Sequence, residues 1–202
     1  MPFSIGVCSR FQSNPKVLHL NVVKRIIKYV GGTCDYGLFY SKESNLSLAG
    51  FSDFDCVGNA DDRKSTTSGC FYVGVNLVAW MSKKQNSVSL SIAEVEYIAA
   101  GNYCSQLLWM KKLLNDYGIS QDTMVVYCDN SSAIDISKNP VQHSKTKHIE
   151  IRYHFIRDLV ERKIVSLEYI PTERQNVDIF TKPLDRSKFE TLRQVIGVIL
   201  CS

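Results

Sequence analysis

The sequence lacks any long hydrophobic run and any closely spaced pair of cysteines. No apolar segment approaches the roughly 20 residues of a membrane-spanning helix, and the N-terminal MPFSIGVCSRFQ lacks the apolar core of a signal peptide. The seven cysteines are odd in number and contain no Cys-x-x-Cys pair, which disfavours a disulfide framework and a zinc ribbon. We therefore expect an intracellular protein, cytoplasmic or nuclear, with no membrane partner.

The composition also excludes a largely disordered chain. With 45% hydrophobic and 22% charged residues, the 202-residue chain can form one sizeable core, or one domain with a short appendage. It contains no internal repeat and no low-complexity segment. The net charge of +4 suits a polyanionic partner, but many unrelated proteins share so mild an excess. Composition alone therefore names no function.

Apolar periodicity divides the first part of the chain into helical and β-rich segments. Residues 16–30 carry one apolar helical face, made of Leu18, Val22, Val23, Ile26, Ile27 and Val30. Residues 34–83 contain the short β-rich runs YGLFYS, LSLAGFSD, GCFYVGV and LVAWMS, which predict an antiparallel meander. A long helix from Ser91 to about Tyr117 should follow, and then the buried strand TMVVYCD.

The last third of the chain alternates short helices with one further strand. We predict a helix from Ser131 or Ser132 to about Lys138, one over 149–162, the strand IVSLEYI, and a final helix over about 186–196. The run Thr172-Glu173-Arg174-Gln175 fits a capping box, which predicts a helix that carries Asp178 before Pro183 stops it. The order is three strands, helix, strand, helices, strand and helix.

Two aspartates each close an apolar strand. These residues are Asp53 and Asp129. An aspartate at the end of an apolar strand carries a free-energy cost of desolvation unless it is solvated, hydrogen-bonded or bound to a cation. Two such positions indicate a shared site. Taken singly, each is also explained as a turn or helix-cap residue.

The long helix offers a third carboxylate. Glu94 and Glu96 lie two positions apart, hence about 200° apart around the helix axis, so both cannot face the same sheet. Ser91 and Glu94 fit a capping box, which gives Glu94 a structural role and leaves Glu96 for chemistry. Asp178 also lies early in a predicted helix, where the helix dipole alone would explain it.

Other acidic residues are weaker candidates. Asp55 shares a strand face with Asp53 but lies closer to the turn, where solvation explains it. Asp61 and Asp62 suggest the metal-binding turn of a polymerase. That turn needs flanking apolar strands, and these are missing from the sequence. Solvated loop charges explain the pair better.

The chain contains, in this order, the stretches GFSDFDCVG, DDRKSTTSGCFYVG, SKKQNSVSLSIAEVEYIAA, YCDNSSAIDISKNPVQHSKTKHIEIRYHFIRDLV and VDIFTKPL. These five stretches resemble the ribonuclease H region of copia-type retrotransposon polyproteins. Together they cover about residues 46–184. Upstream, GVCSRFQSNPKVLHLNVVKRIIKYVGGT is similar to the segment that follows the polymerase palm in the same polyproteins. The resemblance implies a remnant of the polymerase thumb or connection at 1–40, a ribonuclease H-like domain at 41–184, and a C-terminal helix and tail at 185–202.

The resemblance also implies a fold and a metal site. The fold is α/β, a five-stranded mixed sheet flanked by helices, with a short N-terminal helical appendage. Four carboxylates, Asp53, Glu96, Asp129 and Asp178, are implied as both the catalytic residues and the ligands of two Mg²⁺ ions, which Mn²⁺ can replace. Asp53 would be shared between the ions, Glu96 and Asp129 would serve one ion, and Asp178 would help to position the other.

The activity implied is hydrolysis of the RNA strand of RNA–DNA hybrids, beside an upstream reverse transcriptase polymerase domain. An enzyme that selects RNA must sense the 2′-hydroxyl across the shallow minor groove, and it needs cations for the phosphates. The candidate substrate contacts are Lys83, Lys84, Gln85, Asn130, Ser131, Lys145, Lys147, His148 and Arg152. A solvated basic face explains the lysines and arginines among them equally well.

Two residues near Asp53 depart from the family pattern. Phe54 and Cys56 stand where copia-type chains usually have Ala and Trp, which suggests the alternative of a catalytically weakened, nucleic-acid-binding remnant. An integrase-like enzyme is disfavoured because its glutamate usually comes last among the acids, whereas Glu96 comes second.

Histidines receive minor roles. Many ribonuclease H enzymes have a histidine in the loop before the last aspartate, but here that loop reads IPTERQNVD. His148 is a candidate substitute in proton transfer, against the plainer role of a structural histidine. Zinc at His143, His148 and His154 is disfavoured because no cysteine is near them in sequence.

Overall fold

The longer helices and strands occur in the order that the sequence predicts. The structure is a computed structural model that describes residues 2–42, 44–55, 66–84, 92–138, 155–181 and 184–201. In chain order its elements are α1 (Pro2–Ser9), α2 (Val17–Gly31), β1 (Tyr36–Leu38), β2 (Leu48–Asp55), β3 (Thr66–Val73), β4 (Asn76–Lys84), α3 (Ile92–Asp116), β5 (Met124–Cys128), α4 (Ser131–Lys138), α5 (Phe155–Glu161), β6 (Val165–Tyr169), α6 (Asp178–Thr181), α7 (Arg186–Val195) and β7 (Val198–Leu200). The chain divides into two units, residues 39–197 and residues 1–38 with 198–202.

The smaller unit contains α1, α2 and a two-stranded antiparallel sheet of β1 and β7. Tyr36 pairs with Leu200, and the Cys201 amide donates to the Asp35 carbonyl oxygen at 2.7 Å. The assignment of YGLFYS to the meander is therefore wrong, because β1 pairs with a C-terminal strand about 160 positions away. That strand was not predicted. In α2, which is described in full, the helix is confirmed but none of its residues is buried.

The larger unit is built on a mixed five-stranded sheet with the order β4-β3-β2-β5-β6. Strands β2, β3 and β4 form the predicted antiparallel meander, and β5 and β6 add to it in parallel. Antiparallel neighbours need only tight turns, whereas a parallel neighbour needs a crossover. Strand β5 is a parallel neighbour of β2, and the chain reaches it from β4 through helix α3. The order and directions confirm the ribonuclease H-like fold that the resemblance implied.

Helix α3 packs across the sheet and forms the centre of the core. Two strand glycines let it approach closely. A Cβ at Gly69 would lie 2.5 Å from the Tyr103 ring, and one at Gly50 would lie 3.3 Å from Leu107. The helix is therefore held tightly against β2 and β3, so its N-terminal end has a fixed position relative to these strands.

The capping box predicted at Thr172 is wrong. Residues Thr172–Arg174 form a short 3-10 helix after Pro171, without a side-chain cap, and Asp178 begins α6 four residues further on. The Thr172 hydroxyl instead donates to the Asp129 carboxylate at 3.0 Å. In a capping box the threonine hydroxyl oxygen would accept from a backbone N–H, whereas here the hydroxyl is turned toward Asp129, to which it donates a charge-assisted hydrogen bond.

Some predictions fall on residues that the structure does not describe. These include the Ser91 end of the capping box with Glu94, Cys56, the Asp61–Asp62 pair and residues 149–154 of the predicted helix. Helix α5 begins at Phe155. Within the described ranges, none of the helices combines the length and the apolar character that crossing a bilayer requires.

Core packing under α3 gives a first prediction. Leu107 is 0% exposed and contacts the sheet, whereas Leu113, on the same helix, is 40% exposed. Replacing Leu107 by Ala should lower the free energy of unfolding by about 2–5 kcal/mol, because it leaves a cavity against β2. Urea denaturation followed by circular dichroism measures the change. Leu113→Ala is the matched control, and equal losses in the two variants would contradict this packing.

Candidate active site

Strand pairing brings Asp53 and Asp129 side by side. Strands β2 and β5 are parallel, and Phe51 pairs with Tyr127. Asp53 lies two residues after Phe51, near the end of β2, and Asp129 lies two residues after Tyr127, directly after β5. Asp53 is buried, and on its other side it pairs with Ser68 of β3. The register therefore places the two strand-end aspartates at the same level of the sheet.

Glu96 reaches the same place from the first turns of α3. Its side chain is fully buried. Its Oε2 accepts a hydrogen bond from the Cys128 thiol, with a sulfur–oxygen distance of 3.7 Å, while Oε1 has no hydrogen-bond partner among the described residues. One ligand atom each from Glu96, Cys128 and Asp129 lies within 4.8 Å of the other two. The burial of Glu96 agrees with the sequence-based expectation that Glu96, rather than Glu94, faces the sheet.

Crowding of negative charge perturbs Glu96. Burial, followed by the charges of Asp53 and Asp129, raises the pKa of Glu96 from 4.5 to about 9. In the absence of a cation, Glu96 is therefore protonated at neutral pH. This coupling shows that Asp53 and Asp129 act on the same group, although they belong to strands far apart in sequence.

Cys128 was not among the predicted site residues. Burial, and then the neighbouring Glu96, raises the pKa of its thiol well above the ordinary value, so the thiol stays neutral and can donate to Glu96. The signal that could have identified it is the alternation in β5, where Met124, Val126 and Cys128 are buried and the residues between them are half-buried. Cys128 is the last inward-facing residue before Asp129.

Asp129 and its neighbour Asn130 are fixed by hydrogen bonds. Thr172 donates to Asp129, as described above. The Asn130 side-chain oxygen accepts a hydrogen bond from the Ala133 amide at 3.1 Å and so caps the N-terminal end of α4. The predicted short helix after Asp129 is confirmed. Asp129 itself is half-buried.

Asp178 lies at the first position of α6 and is almost completely buried. The Lys188 ammonium donates to its Oδ2 at 2.6 Å from helix α7. The segment before it is fixed to the sheet, since Gln175 donates to the Ser52 carbonyl oxygen at 2.9 Å and Phe180 stacks on Trp80 of β4. Asp178 is thus held close to β2 and β3, but with its own positively charged partner.

The predicted substrate contacts are only partly described. Lys83 is exposed near the end of β4, Ser131 is exposed at the start of α4, and Asn130 is half-buried with its oxygen engaged. Lys84 ends β4, where only its backbone is described. The remaining predicted contacts lie outside the described residues and stay predictions: Gln85, Lys145, Lys147, His148 and Arg152.

The carboxylates suit a hard divalent cation such as Mg²⁺. A buried carboxylate oxygen without a hydrogen-bond partner among the described residues, Glu96 Oε1, belongs to a group whose negative charge is repelled by two further carboxylates. A cation there would supply the missing partner and neutralise the repulsion. Oxygen ligands are those that Mg²⁺ prefers, and the neutral Cys128 thiol offers no competing charge.

Comparison with known proteins finds transposon polyproteins. The chain is 40% identical over 195 residues to the retrovirus-related Pol polyprotein from transposon TNT 1-94 of Nicotiana tabacum, a match that covers 96% of this chain and 15% of the relative. It is 38% identical over 200 residues to the Pol polyprotein from transposon RE2 of Arabidopsis thaliana, covering 98% of this chain and 14% of the relative. The chain therefore spans about one-seventh of the length of these relatives. No protein-family model matches it.

Among solved structures, the chain is similar to the ribonuclease H1 named LC11, isolated from compost. The similarity has a TM-score of 0.44 and 15% sequence identity, and it covers 76% of this chain and 93% of that protein. At this level of identity, the likeness concerns the fold alone.

Glu96 gives a second prediction. Its carboxyl has a higher pKa in the folded chain than in the unfolded chain, about 9 against 4.5, so between these pH values the folded state binds the extra proton. In EDTA, the free energy of unfolding should therefore fall as pH rises through this window, with a slope of up to about 1.4 kcal/mol per pH unit from this group. Glu96→Gln, which mimics the protonated form, should flatten the dependence.

Urea denaturation at pH 5 to 9 measures this dependence. Glu161→Gln is the control, because Glu161 is an exposed residue of α5. The same slope in the wild type and in both variants would show that Glu96 does not titrate in this window.

Proposed function

Since the chain belongs to the family of copia-type retrotransposon Pol polyproteins, we propose that it is a magnesium-dependent endonuclease that hydrolyses the RNA strand of RNA–DNA hybrids. The observation that carries the proposal is the convergence of buried Asp53 and Glu96 with half-buried Asp129, since burial and then the charges of the two aspartates raise the pKa of Glu96. Buried carboxylates that repel one another are stabilised when they share a cation. A structural core has no need of such an arrangement.

We propose the same division of the chain as above. Residues 1–40 would be the end of the polymerase region, 41–184 the ribonuclease H domain, and 185–202 a C-terminal helix and tail. The separation of residues 1–38 and 198–202 from the rest of the chain supports the first boundary. The partner would be the upstream reverse transcriptase polymerase domain, which would deliver the hybrid as it is made.

The residues have distinct roles in this proposal. Asp53, Glu96 and Asp129 would hold one Mg²⁺ ion, and Asp53 with Asp178 would hold a second one. When bound, such a pair supplies an activated water, a neutralised phosphate and a stabilised leaving oxygen. Thr172 orients Asp129 through its hydroxyl, and Cys128 orients Glu96 through its thiol. Gln175 fixes the Asp178 segment on β2.

Substrate contact would come from polar groups around the cluster. Ser131, directly after Asn130 at the start of α4, is exposed beside Asp129 and can meet a ribose hydroxyl. Lys83 is exposed on β4 and can meet a phosphate. The undescribed candidates, from Gln85 and from residues 145–152, would extend this surface.

Hybrid cleavage tests the proposal. The full chain, incubated with Mg²⁺ and an RNA–DNA hybrid labelled in its RNA strand, should release RNA fragments, and EDTA should stop the release. Asp53→Asn, Glu96→Gln and Asp129→Asn should each reduce the rate by about 100-fold or more, because several kcal/mol of transition-state stabilisation depend on the metal. Gel electrophoresis of the labelled strand measures the rate.

Asp135→Asn is the matched control, since Asp135 is an exposed aspartate of helix α4 close to Asp129 in sequence. Undiminished cleavage by the Asp53 and Asp129 variants would refute the site. Salt-sensitive binding of the hybrid by the wild type without any cleavage would favour the alternative of a weakened nucleic-acid-binding remnant.

A further inference from the structure

The buried carboxylate of Asp178 has a partly exposed cation as its partner. Its side chain is 1% exposed, whereas the Lys188 side chain that donates to it is 37% exposed. The two residues are ten positions apart, on different helices, and Pro183 lies between them. Lys188 lies outside the five stretches on which the family resemblance rests.

The start of the Lys188 side chain is anchored by helix α7, and its ammonium reaches Asp178 through a flexible stem. Asp185 caps helix α7 by accepting a hydrogen bond from the Lys188 amide at 3.0 Å, which anchors the start of the side chain. From there, a flexible four-carbon stem carries the ammonium to Asp178. Because the stem has several rotatable bonds and is partly exposed, the ammonium can move into solvent while α7 stays in place.

The buried carboxylate of Asp178 lies against a positive charge. An ionised carboxylate that is buried this deeply is stable only when it is paired or coordinated. Lys188 supplies that charge here. A divalent ion at Asp178 would supply it as well, and the ammonium and the ion cannot both lie close to the same oxygen without repelling each other.

We propose that Lys188 is a displaceable counter-ion of Asp178, which holds this carboxylate in place until a divalent ion replaces the ammonium. The inference rests on the proposed function, because it assumes an ion at Asp178. Lys188 is thus a positioning residue. It holds the Asp178 carboxylate in place without metal, and it weakens the binding of the ion with which it competes. A merely structural ion pair would stabilise the protein equally with and without Mg²⁺.

Magnesium affinity separates these two roles. Isothermal titration calorimetry of the full chain with MgCl₂ gives the affinity of the weaker ion. Lys188→Gln removes the competing charge and should tighten this binding by about three- to tenfold, a range that allows for solvent screening of a partly exposed lysine. Lys188→Arg keeps the charge and should leave the affinity near that of the wild type.

Arg186→Gln is the matched control. It removes one positive charge from the same helix, but Arg186 forms its ion pair with Glu190 in solvent. Its magnesium affinity should therefore equal that of the wild type. In an Asp178→Asn background, Lys188→Gln should no longer change the affinity, because the carboxylate for which the two cations compete is gone.

Thermal denaturation gives a second readout. Lys188→Gln should lower the melting temperature more in EDTA than in saturating Mg²⁺, since the ion replaces the missing charge. An equal loss under both conditions, or an unchanged magnesium affinity, would overturn the role of Lys188 and leave the proposed nuclease untouched.

The other outcomes separate the two proposals. If the wild type binds no Mg²⁺, both proposals fail. If magnesium binding responds to Lys188→Gln as expected but the hybrid is not cleaved, the counter-ion role stands and the nuclease function fails.

Discussion

The larger unit depends on one constraint, the burial of several carboxylates at one place on a sheet. Asp53 and Glu96 are buried, and Asp129 is near enough to raise the pKa of Glu96 together with Asp53. Like charges in a medium of low polarity repel strongly, so only a rigid framework can hold them together. The parallel register of β2 with β5 and the tight packing of α3 on Gly50 and Gly69 provide that framework.

Sequence reasoning succeeded where a local pattern and its tertiary use coincide. The long helix α3, the meander of β2 to β4 and the strand before Asp129 all follow from periodicity, because burial of one face produces the period. Glu96 could be separated from Glu94 by helix geometry alone. Periodicity did not show that these elements share one sheet. That step needed the family resemblance, which carries the order of five motifs at once.

The failures have a common cause, which is competition from partners that are distant in sequence. The β-run at Tyr36 pairs with a strand at the C-terminus, and the hydroxyl of Thr172 bonds to Asp129 rather than to its own helix. Lys188 contacts Asp178 from a different helix, and Pro183 lies between the two residues in sequence. A local motif predicts the hydrogen bonds that a residue can make with its neighbours in sequence. A partner that is distant in sequence can replace such a bond, and nothing in the local sequence indicates the replacement.

The buried carboxyl groups of Glu96 and Asp178 are stabilised in different ways. Without a cation, Glu96 becomes neutral by taking up a proton, whereas Asp178 binds the ammonium group of Lys188. A divalent ion would therefore displace a proton at one end of the site and a lysine at the other. These two displacements need not be equally favourable. The two ions of a pair would then bind with unequal affinities, and the difference would arise from Glu96 and Lys188 rather than from the number of carboxylates.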